Sequence, residues 1–238
     1  MSYRERYYNY QTQARGLLDK ASLEKRFAKQ SKWYGATLHA FLPPKLDTRC
    51  LDAPCGYGNF LYFLRAKGYR NIEGFDFDQK QVELARLLDL PAEKKDIFSV
   101  LAENSEPYEL IASLDFIEHL TKDDALSFLD QCNKNLHPGG VLILRTPCAD
   151  GPFGAHDAWN DLTHQWGMTS NVLQTILEMS GFTRVQVLDE RPHPTSLIET
   201  IRWLVFPPAR MIANVFCMAL GLRPPKIWTR SMMAVAYK

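Results

Sequence analysis

Cys50-Leu51-Asp52-Ala53-Pro54-Cys55-Gly56-Tyr57-Gly58-Asn59-Phe60 is the stretch that decides the reading of this chain. Apolar residues lead into an acid, Asp52. A tight turn follows, carrying Gly56 and Gly58, and an apolar, helix-compatible run extends from Phe60 to Leu64. The order is strand, glycine turn, helix. The bare backbone of the turn lets a ligand come close, and the helix N-terminus offers unpaired N–H groups. Further along, Ile72-Glu73-Gly74-Phe75-Asp76 places a second acid at the end of a second strand. A carboxylate at that position can accept from both hydroxyls of a ribose.

Working outward, strands and helices alternate. Residues 1–40 read as helical, rich in charge and in aromatics such as Tyr7, Tyr8, Tyr10, Phe27, Trp33 and Tyr34, and Pro43-Pro44 ends that segment. Strands are predicted at 48–53, 71–76, 93–96, 109–114, 141–146, 183–189 and 232–237. Helices are predicted at 57–67, at 79–89 with Asp78 as N-cap, at 122–136 behind Thr121 and Asp124, and from Thr169 or Ser170 to about 180, closed by Gly181. The stretch 147–168 shows no clear periodicity and reads as a loop. Such alternation implies a mainly parallel sheet, in which ligands sit at the carboxyl ends of the strands.

Leu51–Leu61 resembles the first motif of class I S-adenosylmethionine-dependent methyltransferases, which reads Leu-Asp-x-Gly-Cys-Gly-x-Gly-x-(Phe/Leu). Three further segments fit in order. Gly74-Phe75-Asp76-Phe77-Asp78 resembles the family's ribose-binding strand end, and Lys95-Asp96-Ile97 the acid and apolar pair beside adenine. Ser113–Leu120, followed by Leu136-His137-Pro138-Gly139-Gly140 and the strand Val141–Arg145, resembles the fourth and fifth strand blocks. The likeness covers about residues 45–190. One departure is Pro54, where most members have glycine, so the turn's N–H contacts must come from Cys55, Gly56 and beyond.

The resemblance implies a Rossmann-like α/β fold, a seven-stranded, mainly parallel sheet with an antiparallel last strand and helices on both faces. It divides the chain into an N-terminal helical extension (1–44), a core that binds S-adenosylmethionine (45–190), a helical apolar insertion (191–231) and a final strand (232–238). It implies that Asp52, Gly56 and Gly58 surround the methionine part of the cofactor. Asp76 would take the ribose, with Phe77 against the adenine. Asp96 would accept from the adenine amino group, with Ile97 beside it, although Asp96 also reads as an ordinary helix cap. Leu114 and Asp115 would approach the methionine end.

Methyl transfer to a hydroxyl needs donor and acceptor held in line, and a base for the acceptor's proton. The best acceptor cluster is His156-Asp157-Ala158-Trp159-Asn160-Asp161-Leu162-Thr163-His164, in the loop after the fifth strand. His156 and His164 are candidate bases with Asp161 beside them, since imidazole titrates near neutrality. Asp161-Leu162-Thr163-His164 resembles an Asp-x-Thr-His run in methyltransferases that modify sugars or lipid-linked glycans. Glu118-His119 is a further base candidate, or a structural pair at the start of the next helix. Trp159 and Trp166 can stack on a sugar ring or pack in the core. The spacing matches no strong metal signature, so no metal site is assigned.

Bulk properties narrow the classes. With 238 residues the chain is one α/β domain with additions. Net charge is +5 over residues 1–36, −10 over 37–190 and +6 over 191–238, for a total of +1. An acidic core with basic ends disfavours nucleic acid as acceptor and fits either an anionic partner at the ends or solvated helix faces. Five cysteines without Cys-x-x-Cys spacing exclude a disulfide framework or a zinc ribbon. Met1–Tyr10 is charged and aromatic, and no 18-residue apolar stretch occurs, so neither a signal peptide nor a transmembrane helix is expected. A cytoplasmic setting is expected, either free or peripheral at the inner membrane face.

The segment 191–231 is long for a link between the last two strands. It reads as two short apolar helices broken at Pro207-Pro208, accompanied by Arg202, Arg210, Arg223, Lys226 and Arg230. Three roles stay open for 195–222: a membrane interface, a cover over the substrate pocket, or a homodimer face. The leading expectation is O-methylation of a glycan, a lipid-linked saccharide or another small molecule. A phenolic acceptor of the quinone-pathway type is the alternative, and a non-catalytic module binding S-adenosylmethionine is a third. An NAD-dependent enzyme is disfavoured, because Leu61 stands where the third glycine of Gly-x-Gly-x-x-Gly belongs.

Overall fold

The structure, a computed structural model, describes residues 3, 6, 7 and 10, residues 19–151 and residues 154–238. Most of the expected helix before Asp19 lies outside the described residues. From there the helix α1 (Lys20–Leu38) starts at Asp19, whose carboxylate accepts from the Ser22 N–H at 2.7 Å. Leu23, Phe27, Tyr34 and Leu38 recur at helical spacing and form its buried face. That face lies on α2 (Asn59–Ala66), where the Tyr34 ring stands 5.3 Å from both Phe60 and Phe63. Each such fully buried side chain is worth about 1.5–3 kcal/mol.

Seven strands form one sheet in the order β3-β2-β1-β4-β5-β7-β6. They are β1 (Arg49–Asp52), β2 (Asn71–Asp76), β3 (Ala92–Lys94), β4 (Tyr108–Leu114), β5 (Leu136–Pro147), β6 (Thr183–Asp189) and β7 (Ser231–Tyr237). Only β7 runs against its neighbours, pairing antiparallel with both β5 and β6. Side chains alternate between two cores along each central strand. Leu51, Ile111, Leu142 and Leu144 face α4 (Ile97–Glu103), α5 (Lys122–Asn135) and α7 (Ser170–Met179). Cys50, Leu110, Val141 and Ile143 face α1, α2 and α3 (Gln79–Arg86). This two-sided burial explains why these strands read as continuous apolar runs. The expected α/β architecture is the one observed.

Local signals set the helix starts. Asp78 accepts from the Lys80 N–H, and Thr121 from the Asp124 N–H, as their spacing predicts. The helix Ile97–Glu103 was not expected, and the most consequential further differences from expectation are three. β5 begins at Leu136 rather than 141, because Leu136 already pairs with Tyr108 and the Pro-Gly-Gly bend is absorbed as a register irregularity. The stretch read as a loop after β5 contains a short helix, α6 (Gly154–Trp159). The last link holds one continuous helix, α8 (Leu197–Ala219), with Pro207 and Pro208 inside it, not two helices broken there. Two prolines remove two N–H donors from the helix ladder. None of α8 is buried, so water can serve the carbonyls left without a partner.

All five cysteines are free thiols. Cys50, Cys55, Cys132 and Cys148 are buried, and burial pushes each thiol up, Cys50 and Cys148 to about 12. Cys217 alone, on α8, is partly exposed.

Candidate active site

The carboxyl ends of β1, β2, β4 and β5 lie side by side, with Asp52 opposite Gly74 and Ala112, and Leu114 opposite Arg145. The turn after β1 contains a cis Ala53–Pro54 peptide and then two left-handed glycines, Gly56 at φ +51° and Gly58 at φ +86°. Gly58 is required by packing, since a Cβ there would stand 2.5 Å from Leu90. Gly56 is different, because a Cβ there would meet nothing within 4 Å. The turn therefore presents bare backbone to open space.

Two acids flank that space. Asp76 is buried; its Oδ2 accepts from the Gly56 N–H at 2.8 Å and its Oδ1 from the Asp78 N–H at 2.9 Å. Burial raises its carboxyl above the usual range, and these N–H groups draw it back. Asp52 is 2% exposed, and burial raises it well above the usual range. Its Oδ2 has no hydrogen-bond partner among the described residues. A buried carboxylate oxygen left without a donor is costly and fits a ligand that supplies positive charge or donors.

Phe77, at the end of β2, is 57% exposed and offers a flat apolar surface. Asp96 caps α4, its Oδ2 accepting from the Ser99 N–H at 2.9 Å, so the helix-cap reading of this acid is realised. Ile97 is buried behind it. At the end of β4, Leu114 is partly buried, and Asp115 takes a left-handed backbone at φ +55°. The Asp115 carboxylate is paired with Arg145, which also binds Glu190 at 2.6 Å. Sequence reading gave no sign of this Arg145 bridge, because Arg145, Asp115 and Glu190 come from three separate segments.

The acceptor candidates separate in the structure. His156 sits on α6 with its side chain exposed, its Nδ1 3.4 Å from Asp157. Asp157 is itself held by Arg230, which keeps its carboxyl below the usual range. His156 is thus separated from His164, the other candidate base in that stretch. His164 turns inward instead. Its Nδ1 lies 2.7 Å from the Ala158 carbonyl, its ring packs edge-on to His119 at 4.7 Å, and its Nε2 is 4.0 Å from Glu118 Oε1. Glu118 and His119 occupy the short 3₁₀ turn Ile117–His119 after β4. The Gln165 N–H bonds the Glu118 carbonyl at 2.8 Å and ties the two segments together.

Asp161 stands one step behind. Its Oδ1 accepts from Thr163 Oγ1 at 2.5 Å, and Thr163 Oγ1 lies 2.9 Å from His119 Nδ1. Glu118 is 2% exposed; its Oε2 accepts from Thr146 Oγ1 at 3.0 Å. Burial, and the nearby Asp115 charge, push the Glu118 carboxyl up to about 8. The pair Glu118-His119 thus lies against His164 and Thr163 as well as forming the 3₁₀ turn. Trp166 takes the packing role, donating its Nε1–H to the Leu120 carbonyl at 3.1 Å, while Trp159 is 59% exposed.

A sheet in this order, with a glycine turn after β1, an acid closing β2 and a titratable cluster after β4, defines a class I methyltransferase. A family model described as a methyltransferase domain matches residues 23–191, well over half of the chain. The chain belongs to that family. Among curated proteins it is 29% identical over 147 residues to the ubiquinone biosynthesis O-methyltransferase of Xylella fastidiosa, covering 53% of this chain and 58% of that protein. It is 27% identical over 178 residues to a tRNA U34 carboxymethyltransferase of Azotobacter vinelandii, covering 68% and 55%. The chain thus spans little more than half the length of these relatives. Among solved structures, a methyltransferase from Archaeoglobus fulgidus superposes with a TM-score of 0.66 at 21% identity, over 90% of this chain and 97% of that one. The magnesium protoporphyrin IX methyltransferase of Synechocystis, solved with S-adenosylhomocysteine bound, gives 0.55 at 17% identity, over 94% and 89%. At those identities the likeness speaks for the fold.

Proposed function

We propose that this chain transfers a methyl group to a hydroxyl oxygen of a small, lipid-borne acceptor. The observation that carries the reading is the Glu118–His119–His164 cluster after the end of β4, in which Glu118 is buried and both histidines are partly buried. A hydroxyl must lose its proton to become a competent nucleophile, and an imidazole facing a carboxylate is suited to take it. When bound, S-adenosylmethionine supplies the electrophilic methyl carbon and retains the electron pair of the broken carbon–sulfur bond. Asp76 would hold the ribose, Asp52 the methionine end, and Phe77 the adenine face. The open backbone at Gly56 supports that placement.

Two features support a lipid-borne acceptor. A groove of about 460 Å³ lies at the same end of the sheet, lined by Thr37 of α1, Asp189 at the end of β6, His193 and Arg210 of α8. Above it α8 exposes Ile198, Leu204, Met211, Ile212 and Phe216. An exposed apolar helix of this kind can lie in a membrane interface. No helix among the described residues is long and apolar enough to cross a membrane.

A phenolic acceptor comes first, because several relatives are named for O-methylation in ubiquinone biosynthesis. A lipid-linked saccharide is the second reading, favoured by the exposed Trp159 ring, which can stack on a sugar. The test is transfer of labelled methyl from S-adenosylmethionine to prenylated phenols, lipid-linked saccharides and amine controls. Methylation of a hydroxyl acceptor is expected. Transfer to amines alone would overturn the reading.

A further inference from the structure

We propose that the groove between α1, the end of β6 and α8 binds one phosphate-bearing lipid, its phosphate held by Arg191 and Arg210 and its hydrocarbon chain laid against α8. Two hollows adjoin there. The first, of about 460 Å³, carries the polar side chains of Thr37, Asp189, His193 and Lys226 among apolar ones. The second, of about 290 Å³, is walled by Phe206, Pro207, Met211 and Asn214 of α8. Arg191 and Arg210 line both hollows, so the two guanidinium groups stand where one passes into the other.

The charges in this groove do not cancel. Asp189 is the one carboxylate among the residues that line either hollow, against Arg191, Arg210 and Lys226. Both arginines reach the same oxygen. Asp189 Oδ2 accepts from Arg210 at 2.7 Å and from Arg191 at 3.2 Å, while its Oδ1 accepts from the Trp228 N–H at 3.0 Å. The Asp189 side chain is buried, so it is a fixed anchor that draws two guanidinium groups together. One negative charge between two positive ones leaves a net attraction for a second anion. The Arg210 fork is oriented further by the Lys226 carbonyl, which accepts from it at 3.1 Å. A guanidinium carries five N–H donors in a plane, and these contacts use only part of each set. The geometry suits a phosphate, which guanidinium groups bind through paired hydrogen bonds.

The second hollow decides what the phosphate is attached to. A free anion would use the guanidinium pair alone and leave the wall of Phe206, Pro207 and Met211 unused. A molecule that joins an anion to a hydrocarbon chain uses both. The apolar hollow continues along α8 onto Leu204, Ile212 and Val215, all exposed. A basic pocket beside an apolar helix surface is the arrangement that recognises lipid head groups.

The groove also lies beside the carboxyl ends of the central strands. Glu190 follows Asp189 and binds Arg145 near the end of β5 at 2.6 Å. A lipid seated on Arg191 and Arg210 would therefore hold its head group toward the ends of β4 and β5. That this lipid is the methyl acceptor rests on the O-methylation reading above, while the binding site does not.

The experiment is calorimetric titration of the full chain, without cofactor, with decyl phosphate, inorganic phosphate and decyl glucoside, the two amphiphiles kept below micelle formation. One saturable site for decyl phosphate is expected, at least tenfold tighter than binding of either other probe. Arg191→Gln and Arg210→Gln should each weaken it at least fivefold, and Arg223→Gln, outside both hollows, should leave it unchanged. Circular dichroism checks that each variant is folded, and the Arg191 side chain, 60% exposed, can be replaced without disturbing the core. Equal affinity for inorganic phosphate would show charge attraction alone, and equal affinity for decyl glucoside an apolar surface alone; either would overturn the proposal. So would affinity untouched by both arginine variants. Binding of decyl phosphate with no methyl transfer to any hydroxyl acceptor would uphold the site and count against the O-methylation reading alone.

Discussion

The Gly56 N–H donates to Asp76 Oδ2 at 2.8 Å, so the glycine turn and the end of the second strand act as one unit. Asp76→Ala removes a ribose acceptor and loosens the turn that faces the ligand. The expected outcome is a loss of more than tenfold in S-adenosylmethionine affinity, with an unchanged circular dichroism spectrum. Unchanged affinity by calorimetry would reject the ribose assignment.

The same carboxyl predicts a pH dependence. Burial raises Asp76 in the free protein, and Asp52 further still. Ribose hydroxyls and a sulfonium both favour the ionised acids, so binding lowers these raised values and releases protons. Affinity should therefore strengthen as pH rises above the ordinary carboxylate range. Calorimetry in two buffers of different ionisation heat checks this. A flat profile with no proton release would contradict it.

The inward turn of His164 and the outward turn of His156 predict different phenotypes. His164→Ala should lower kcat on a hydroxyl acceptor by about 10²–10⁴-fold, the usual span for losing acid–base assistance. Affinity for S-adenosylhomocysteine should hardly change. His156→Ala should keep near-full turnover. Equal losses in both variants would mean that the buried cluster is not the site of proton removal.

Gly58 predicts a stability effect without a chemical one. Its left-handed φ of +86° strains any side chain, and a Cβ there would force the Leu90 side chain, 2.5 Å away, to shift. Gly58→Ala should cost about 2 kcal/mol or more of unfolding free energy, measured by urea denaturation. A loss below 0.5 kcal/mol, on the order of a neutral surface change, would show that the turn yields easily.

Membrane contact through α8 is testable with vesicles. Each large apolar side chain entering an interface is worth on the order of 1–2 kcal/mol. Co-sedimentation with anionic vesicles at low salt is expected, and Ile212→Glu with Phe216→Glu should reduce it at least fivefold. Failure of the unmodified protein to sediment would end the idea.

Much of the fold around the glycine turn was legible in the sequence because its signals are local. A strand, a glycine turn and a helix start are contiguous in Leu51–Leu61, and the fixed spacing to Asp76 marks the next strand end. The acceptor side was only partly legible. His119 and His164 are far apart in the chain, and the Gln165 N–H to Glu118 carbonyl bond and the Thr163–His119 contact hold their rings together. No spacing rule marks which of two nearby histidines turns inward. The continuous α8 was misread for another reason. Paired prolines usually end a helix, but exposure lets water take the place of the missing bonds.

The burial of four thiols has a practical consequence. A thiol-selective reagent will meet Cys217 first, on the helix whose surroundings matter most. A fluorophore attached there would report, from the unmutated chain, whether α8 sits in water, in lipid or against another protein.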